Sequence, residues 1–397
     1  MLGKKPYKLY NSIQHYEWGT KGESAFIPDF IGIEPDDKPY AELWIGAHPK
    51  LSSKIEINNE LVELRKAIDD YPTEILGKRV CRKFNNKLPF LLKVLSARKA
   101  LSIQTHPNKE QAEELHLSDP ANYYDNNHKP EIAVVLTKLD ALLGFRSYDE
   151  ISKNLNIYPQ IKEFLGEEVI SNFEQPVNED AVKNIFTGLM LKSSDEVALK
   201  KCIDSIDKAI QQKDDISKDE RLFSILKNEY GYDIGLLAIF FLNHVQLNKD
   251  EAIFTDAGIP HAYLEGDIVE CMANSDNVVR AGLTPKFKDV NTLLKILNYD
   301  KSKSILTPEK IGDIINYSPP IDEFKIEKIG IEKKQQELST NNQVEILLVI
   351  KGKITVFTGD NSNISFKKGE AFLIPAVVDQ YTIESENSAV IFRVLIP

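Results

Sequence analysis

The hydrophobic pattern divides this chain of 397 residues into three stretches. From residue 1 to 146 it has the period of strands. Lys54-Ile55-Glu56-Ile57 alternates polar and apolar positions, as a half-buried strand does. Phe90 to Leu95 and Ile132 to Leu136 are short apolar runs bounded by proline or polar residues, the pattern of strands buried on both faces. From 147 to 230 the period becomes helical. Leu199, Ile203, Ile206 and Ile210 recur at helical spacing, Leu222, Ile225 and Leu226 repeat it, and Ser193-Ser194-Asp195-Glu196 reads as a capping box. The charged stretch from Gln211 to Arg221 reads as a solvated loop and helix start. From 231 to 397 strands return. Val344 to Ile350 and Lys353 to Thr358 predict a hairpin about Lys351-Gly352, followed by strands at Phe372 to Ile374 and Ala389 to Ile396. Short strands separated by turn signals predict an all-β sandwich or barrel. The fold class is therefore mainly β with an α-helical insertion.

One internal similarity sharpens that picture. Asp250 to Ala257 can be laid over Gly369 to Ala376 with three identical positions and two more that are apolar in both. The match is short enough to arise by chance between two strand–turn segments. Taken as a repeat, it places Gln380 where the first copy has His261.

Composition narrows the function. With 49 Lys plus Arg against 60 Asp plus Glu, the net charge is −11. This disfavours nucleic acid or an anionic membrane as partner, and requires any anion site to be basic only locally. The three cysteines, Cys81, Cys202 and Cys271, are far apart and form no Cys-x-x-Cys pair, which fits a reducing cytoplasm and neither a disulfide framework nor a thiolate metal site. The first eleven residues lack the apolar core of a signal peptide, and the longest apolar run, Ile234 to Leu242, is too short to span a bilayer.

Four segments carry chemistry. In Ser102-Ile103-Gln104-Thr105-His106-Pro107, Gln104 and His106 share a face of an extended chain. They could ligate a divalent ion, although the same pattern also fits a polar solvent face. In His128-Lys129-Pro130-Glu131, Pro130 holds the chain extended and puts Lys129 and Glu131 on one face, with His128 opposite in a structural role. Ala257-Gly258-Ile259-Pro260-His261 is a tight turn that delivers a histidine to a strand start. Asp276 to Lys286 offers Arg280 and Lys286 near a glycine turn, suited to a phosphate or to charge developing on oxygen. There is no phosphate-binding loop, nucleophile elbow or dinucleotide fingerprint.

These segments, together with Tyr16-Glu17-Trp18-Gly19 and Pro39-Tyr40-Ala41-Glu42-Leu43-Trp44-Ile45-Gly46, resemble the type I mannose-6-phosphate isomerases, in the same order over residues 16–290. The resemblance implies two cupin-like β-sandwich (jelly-roll) units plus a helical domain. The catalytic β domain would take residues 1–146 and 231–300, the helical insertion 147–230 and the C-terminal β-sandwich 301–397. It implies one zinc ion per chain on Gln104, His106, Glu131 and His261, a set that suits a catalytic zinc. It further implies an active-site arginine at Arg280 and substrate contacts at Lys93, Ser102, Lys129, Glu270 and Lys286. The implied reaction interconverts mannose 6-phosphate and fructose 6-phosphate through an enediol, within mannose metabolism and GDP-mannose synthesis. Glu270 is the expected proton shuttle, with Asp276 as second choice. The expected partner is a small sugar phosphate, with no nucleic acid, membrane or obligate protein partner. The rival is a cupin module that binds a sugar or metal without catalysis; it has no need of Arg280 and Lys286 beside a full ligand set.

Overall fold

Two large antiparallel sheets lie back to back. The computed structural model describes residues 2–174, 180–299, 305–332, 335–359 and 363–397. The first sheet runs in the order Ile305–Leu306, Ala252–Thr255, Glu131–Phe145, His261–Ala273, Phe90–Ala97, Glu42–His48, Ser12–Gln14. The second runs Tyr7–Leu9, Ala371–Ile374, Glu345–Lys351, Ser388–Leu395, Lys325–Glu332, Ile314–Tyr317, Glu309–Ile311. One apolar layer joins them: Leu92, Val94, Ile132 and Val134 of the first sheet pack in the same cluster as Ile326, Ile346, Leu348 and Val394 of the second. The opposite face of each sheet lines its own interior, with Leu95, Ala133 and Val135 in one and Leu347, Val349 and Ile391 in the other. Both faces of these strands are therefore dry, which is why Ile132 to Leu136 reads as an unbroken apolar run and Phe90 to Leu95 as one interrupted only by Lys93.

The two sheets correspond residue by residue. Thr255 pairs with Glu131 in the first, and Ile374 pairs with Glu345 in the second. Glu270 stands between Ala133 and Lys93; Arg393 stands between Leu347 and Glu327. The turns agree as well. Asp250 and Gly369 both have positive φ, at 73° and 84°. Glu251 accepts from the backbone N–H of Asn248, and Glu370 likewise from Lys367. His261 and Gln380 each open the next strand.

The edge strands are exchanged. Tyr7–Leu9 precedes the first sheet in sequence but pairs with Ala371–Ile374 at the edge of the second. Ile305–Leu306 precedes the second but pairs with Ala252–Thr255 at the edge of the first. The boundary expected between residues 300 and 301 lies outside the described residues.

Helices fill the hairpin between Glu131–Phe145 and Leu242–Asn248, whose residues pair from Leu242–Phe145 to Asn248–Lys138. They begin at Tyr148–Ile157 and end at Gly235–Ala238, so the helical layer runs eight residues past the expected 230. Ile234 to Leu242, an apolar run, is a buried helical turn that leads into a strand. The helix Glu196–Gln211 is capped by Asp195 alone, which accepts from the N–H of Ala198, and not by a box from Ser193. Within the stretch expected to be solvated, Glu220 is buried and accepts from Tyr158 and Lys213. The first 146 residues also hold short helices that strand periodicity did not indicate, including Phe26–Ile31, Leu64–Asp70 and Lys109–Ser118. No helix among the described residues is long and apolar enough to cross a membrane.

Candidate active site

Three of the expected ligands meet inside the first sandwich. His106 follows the strand Ile103–Thr105, Glu131 opens Glu131–Phe145, and His261 opens His261–Ala273. All three are buried, and their ligand atoms lie within 4.8 Å of one another. Gly258 sets this up. Its φ of +79° is a glycine conformation, and a Cβ there would lie 2.6 Å from the carbonyl of Ile296. Its N–H donates to the carbonyl of His106, which ties the two histidine segments together.

The hydrogen bonds of the imidazoles indicate what this cluster lacks. Nδ1 of His106 lies 2.8 Å from the carbonyl of Asn277, and Nδ1 of His261 lies 3.0 Å from that of Ile259. A carbonyl only accepts, so each Nδ1 carries the proton. Burial lowers the His106 pKa to about 4, so the ring is neutral and its Nε2 is a bare lone pair. The two Nε2 atoms point at Oε2 of Glu131 from 3.5 and 3.3 Å, and none of the three has a hydrogen-bond partner. Burial alone would raise the Glu131 carboxyl, but the Lys129 ammonium beside it leads the effects that hold it well below the usual range. Three converging acceptors in a dry interior require a cation. Two imidazoles and a carboxylate fit zinc. Gln104 pairs in register with both His261 and Arg280, and its Oε1 accepts from Ser102 at 3.2 Å. It faces the open side of the cluster.

That side is a cleft of about 970 Å³. Gln104, Ser102, Lys93, Lys129, Asp276, Arg280 and Lys286 all line it. Glu270 lies just behind, 3.0 Å from Nζ of Lys93, which is also 3.6 Å from Glu42. Burial raises the Glu270 carboxyl above the usual range, with Lys93 pulling against it. Burial also opposes charge on Lys93, but Glu270, Glu42 and Glu131 prevail and raise its pKa. Lys129 is held at 2.9 Å by Glu131. Asp276 is engaged by Lys50 at 3.0 Å and lies 3.7 Å from His48; it does not pair with Arg280. Arg280 and Lys286 have no carboxylate within ion-pair distance among the described residues. Burial lowers both, and for Lys286 the guanidinium of Arg280 adds to the effect. A half-buried guanidinium and an exposed ammonium, neither with a carboxylate in reach among the described residues, make a local anion site on an acidic protein.

Sequence reasoning missed several contributors. Glu42 and Trp44 alternate on one strand, with the indole N–H donating to Glu42 at 2.6 Å beside Lys93; a Glu-x-Trp on one strand face was the available signal. Asn277 bonds the carbonyls of Asp125 and Asn127 through its amide, thereby locking the loop before Lys129. Nothing in the sequence marks it out. His128 faces away from Glu131 and meets Glu323 at 2.6 Å.

Comparison with known proteins agrees with this geometry. Residues 7–148 match the family model for the catalytic domain of type I phosphomannose isomerase, and residues 313–394 match the mannose-6-phosphate isomerase cupin domain. The chain is 38% identical to the mannose-6-phosphate isomerase of Candida albicans, covering 91% of each chain. It is 37% identical to that of Mus musculus, covering 100% of this chain and 97% of the relative. The crystal structure of a single-residue variant of the Salmonella typhimurium phosphomannose isomerase superposes with a TM-score of 0.88 at 32% identity, covering 98% of this chain and 99% of that one. A mannose 6-phosphate isomerase solved with zinc and yttrium gives 0.86 at 32% identity, with 98% and 99% covered. By identity and coverage, the chain belongs to the type I phosphomannose isomerase family.

Proposed function

We propose that this chain interconverts mannose 6-phosphate and fructose 6-phosphate, with zinc as its resident metal. The observation that carries the reading is a cleft lined by Gln104, Lys129, Arg280 and Lys286, with three partnerless buried acceptors directly behind Gln104 and Lys129. Gln104, His106, Glu131 and His261 would hold the zinc, which supplies Lewis-acid charge beside the sugar oxygens.

The protein side chains account for the rest. Glu270 takes the proton from C2 of the open-chain aldose and returns it at C1, while the hydroxyl proton moves between the oxygens, so no net oxidation occurs. Its raised pKa brings its acid and base forms closer in energy, as a shuttle needs. Lys93 holds that carboxyl in place at 3.0 Å. Asp276 is the weaker candidate because Lys50 already engages it. Arg280 stabilises charge on the oxygens of the enediol. Ser102 and Lys286 hold the phosphate, and Lys129 stands between substrate and Glu131. This chemistry belongs to mannose metabolism in the cytoplasm; the three free, buried cysteines suit that compartment.

The two sheets are, in this reading, two copies of one cupin-like unit, and the helical layer is an insertion in the first. The support is the shared strand order and the matched register at Glu131 and Glu345. A coupled assay that follows fructose 6-phosphate from mannose 6-phosphate tests the activity. Zinc-loaded protein without turnover would leave the non-catalytic cupin reading in its place.

A further inference from the structure

The segment that carries Arg280 and Lys286 is held from behind by one carboxylate. Asp233 lies in the helical layer, and its side chain is only 10% exposed. Its Oδ1 accepts from the N–H of Leu283 at 2.6 Å and from the N–H of Gly235 at 2.7 Å. Its Oδ2 accepts from Nζ of Lys288 at 3.1 Å. Leu283 is fully packed and has a φ of +54°, a conformation that costs a branched residue on the order of 1 kcal/mol or more. The backbones cross without room for a side chain: a Cβ on Gly282 would lie 2.6 Å from Cα of Gly235, and one on Gly235 would lie 2.7 Å from the N of Leu283.

This junction divides the cation segment. Arg280 lies on the strand Val279–Gly282 before it. Thr284 and Lys286 follow it, with the N–H of Lys286 donating to Oγ1 of Thr284 at 3.1 Å. The far end is fixed by Asp289, which accepts from Tyr123 at 2.9 Å and caps the next helix. The spacing between the two cations therefore depends on the turn at Leu283, and Asp233 is the group that satisfies its N–H.

We infer that Asp233 is a positioning residue for the phosphate end of the substrate, through which the helical layer sets the separation of Arg280 and Lys286. It touches neither substrate nor metal. It works by stabilising a left-handed turn that the sequence at Leu283 disfavours; when that turn relaxes, Lys286 shifts relative to the strand that carries Arg280, and the phosphate loses a well-placed cation. The inference rests on the reading of Lys286 as a phosphate-holding cation, with Arg280 serving the enediol oxygens.

The test compares variants of the full zinc-loaded chain by KM, kcat, zinc content and inhibition by inorganic phosphate. Asp233→Ala should raise KM for mannose 6-phosphate about tenfold or more and weaken phosphate inhibition in parallel, with kcat changed much less. Asp233→Asn keeps the amide oxygen for both N–H groups and should stay within about threefold of the parent. Lys288→Met removes only the outer ion pair and should do the same. If the alanine variant does not fold, Asp233→Ser, whose shorter side chain cannot span both donors, takes its place. An unchanged KM in the alanine or serine variant overturns the inference, as does an Asn variant as impaired as the alanine one. Lys286→Ala separates the two levels. Should it leave KM and phosphate inhibition unchanged, the anion-site reading itself fails. Should it raise KM while Asp233→Ala does not, only the role of Asp233 fails.

Discussion

Arg393 occupies in the second sheet the register position that Glu270 occupies in the first, and its neighbour Glu327 stands where Lys93 does. The pair is the same with its charges reversed: Lys93 and Glu270 are 3.0 Å apart, Arg393 and Glu327 2.9 Å. Glu345, the counterpart of Glu131, is held by the same guanidinium and by the hydroxyl of Tyr381 at 2.6 Å. A covalently attached cation thus neutralises the carboxylate that in the first sheet faces the metal site.

The second sheet should accordingly bind no metal. Gln380→Ala should leave zinc at one per chain and turnover unchanged. Arg393→Met leaves buried Glu345 with only the Tyr381 hydroxyl and Glu327 with only Lys325, and should lower stability by about 3–5 kcal/mol, measured by urea unfolding. A second stoichiometric zinc that disappears with Gln380→Ala contradicts this assignment.

At the first sheet, His261→Ala should lose both zinc and activity while the far-ultraviolet circular dichroism stays that of the parent. The dry layer between the sheets does not depend on the ion. Full zinc occupancy with full activity in this variant would remove His261 from the ligand set.

Arg280→Ala, with zinc retained, should reduce turnover by on the order of 10²–10³, because a donor aimed at developing charge is lost. Arg280→Lys should recover only part, since an ammonium lacks the planar fork. If only the Michaelis constant rises, the guanidinium is a phosphate anchor and its catalytic role is refuted.

Acid should loosen the helical layer through Glu220. Burial alone would raise this carboxyl, but Lys213, Tyr158 and Ser217 together bring it down to about 2 from an ordinary 4.5. A folded pKa below the unfolded one means that its contribution is present above pH 4.5 and is lost as pH falls toward 2. The urea midpoint of the parent should therefore drop across that window more steeply than that of Glu220→Gln. Parallel profiles would show that Glu220 contributes nothing there.

The sequence made the β–α–β order plain, because each stretch is long enough for its period to show. The ligand segments were legible only through the family resemblance, since Gln104-x-His106 fits a polar solvent face equally well and Gly258 marks only a turn before His261. What the sequence hid lies in partners remote along the chain. Tyr7–Leu9 and Ile305–Leu306 are three and two residues long, too short to carry a period. Asp233 reads as an ordinary turn residue until Leu283, fifty positions on, is seen to need an acceptor. The capping residue at 195 was misassigned because Ser193, Ser194 and Asp195 are all good caps, and only the geometry of the preceding turn decides between them.

The exchanged edge strands have a consequence for synthesis. On a ribosome that adds roughly 5–20 residues per second, Leu9 emerges on the order of 20–70 s before its partner Ala371 exists. Throughout that interval the N-terminal strand has no sheet to join, while the catalytic sheet can close its far edge once Ile305 and Leu306 emerge. The enzyme's half of the molecule is thus free to finish first, and the last strands made must return to collect the first.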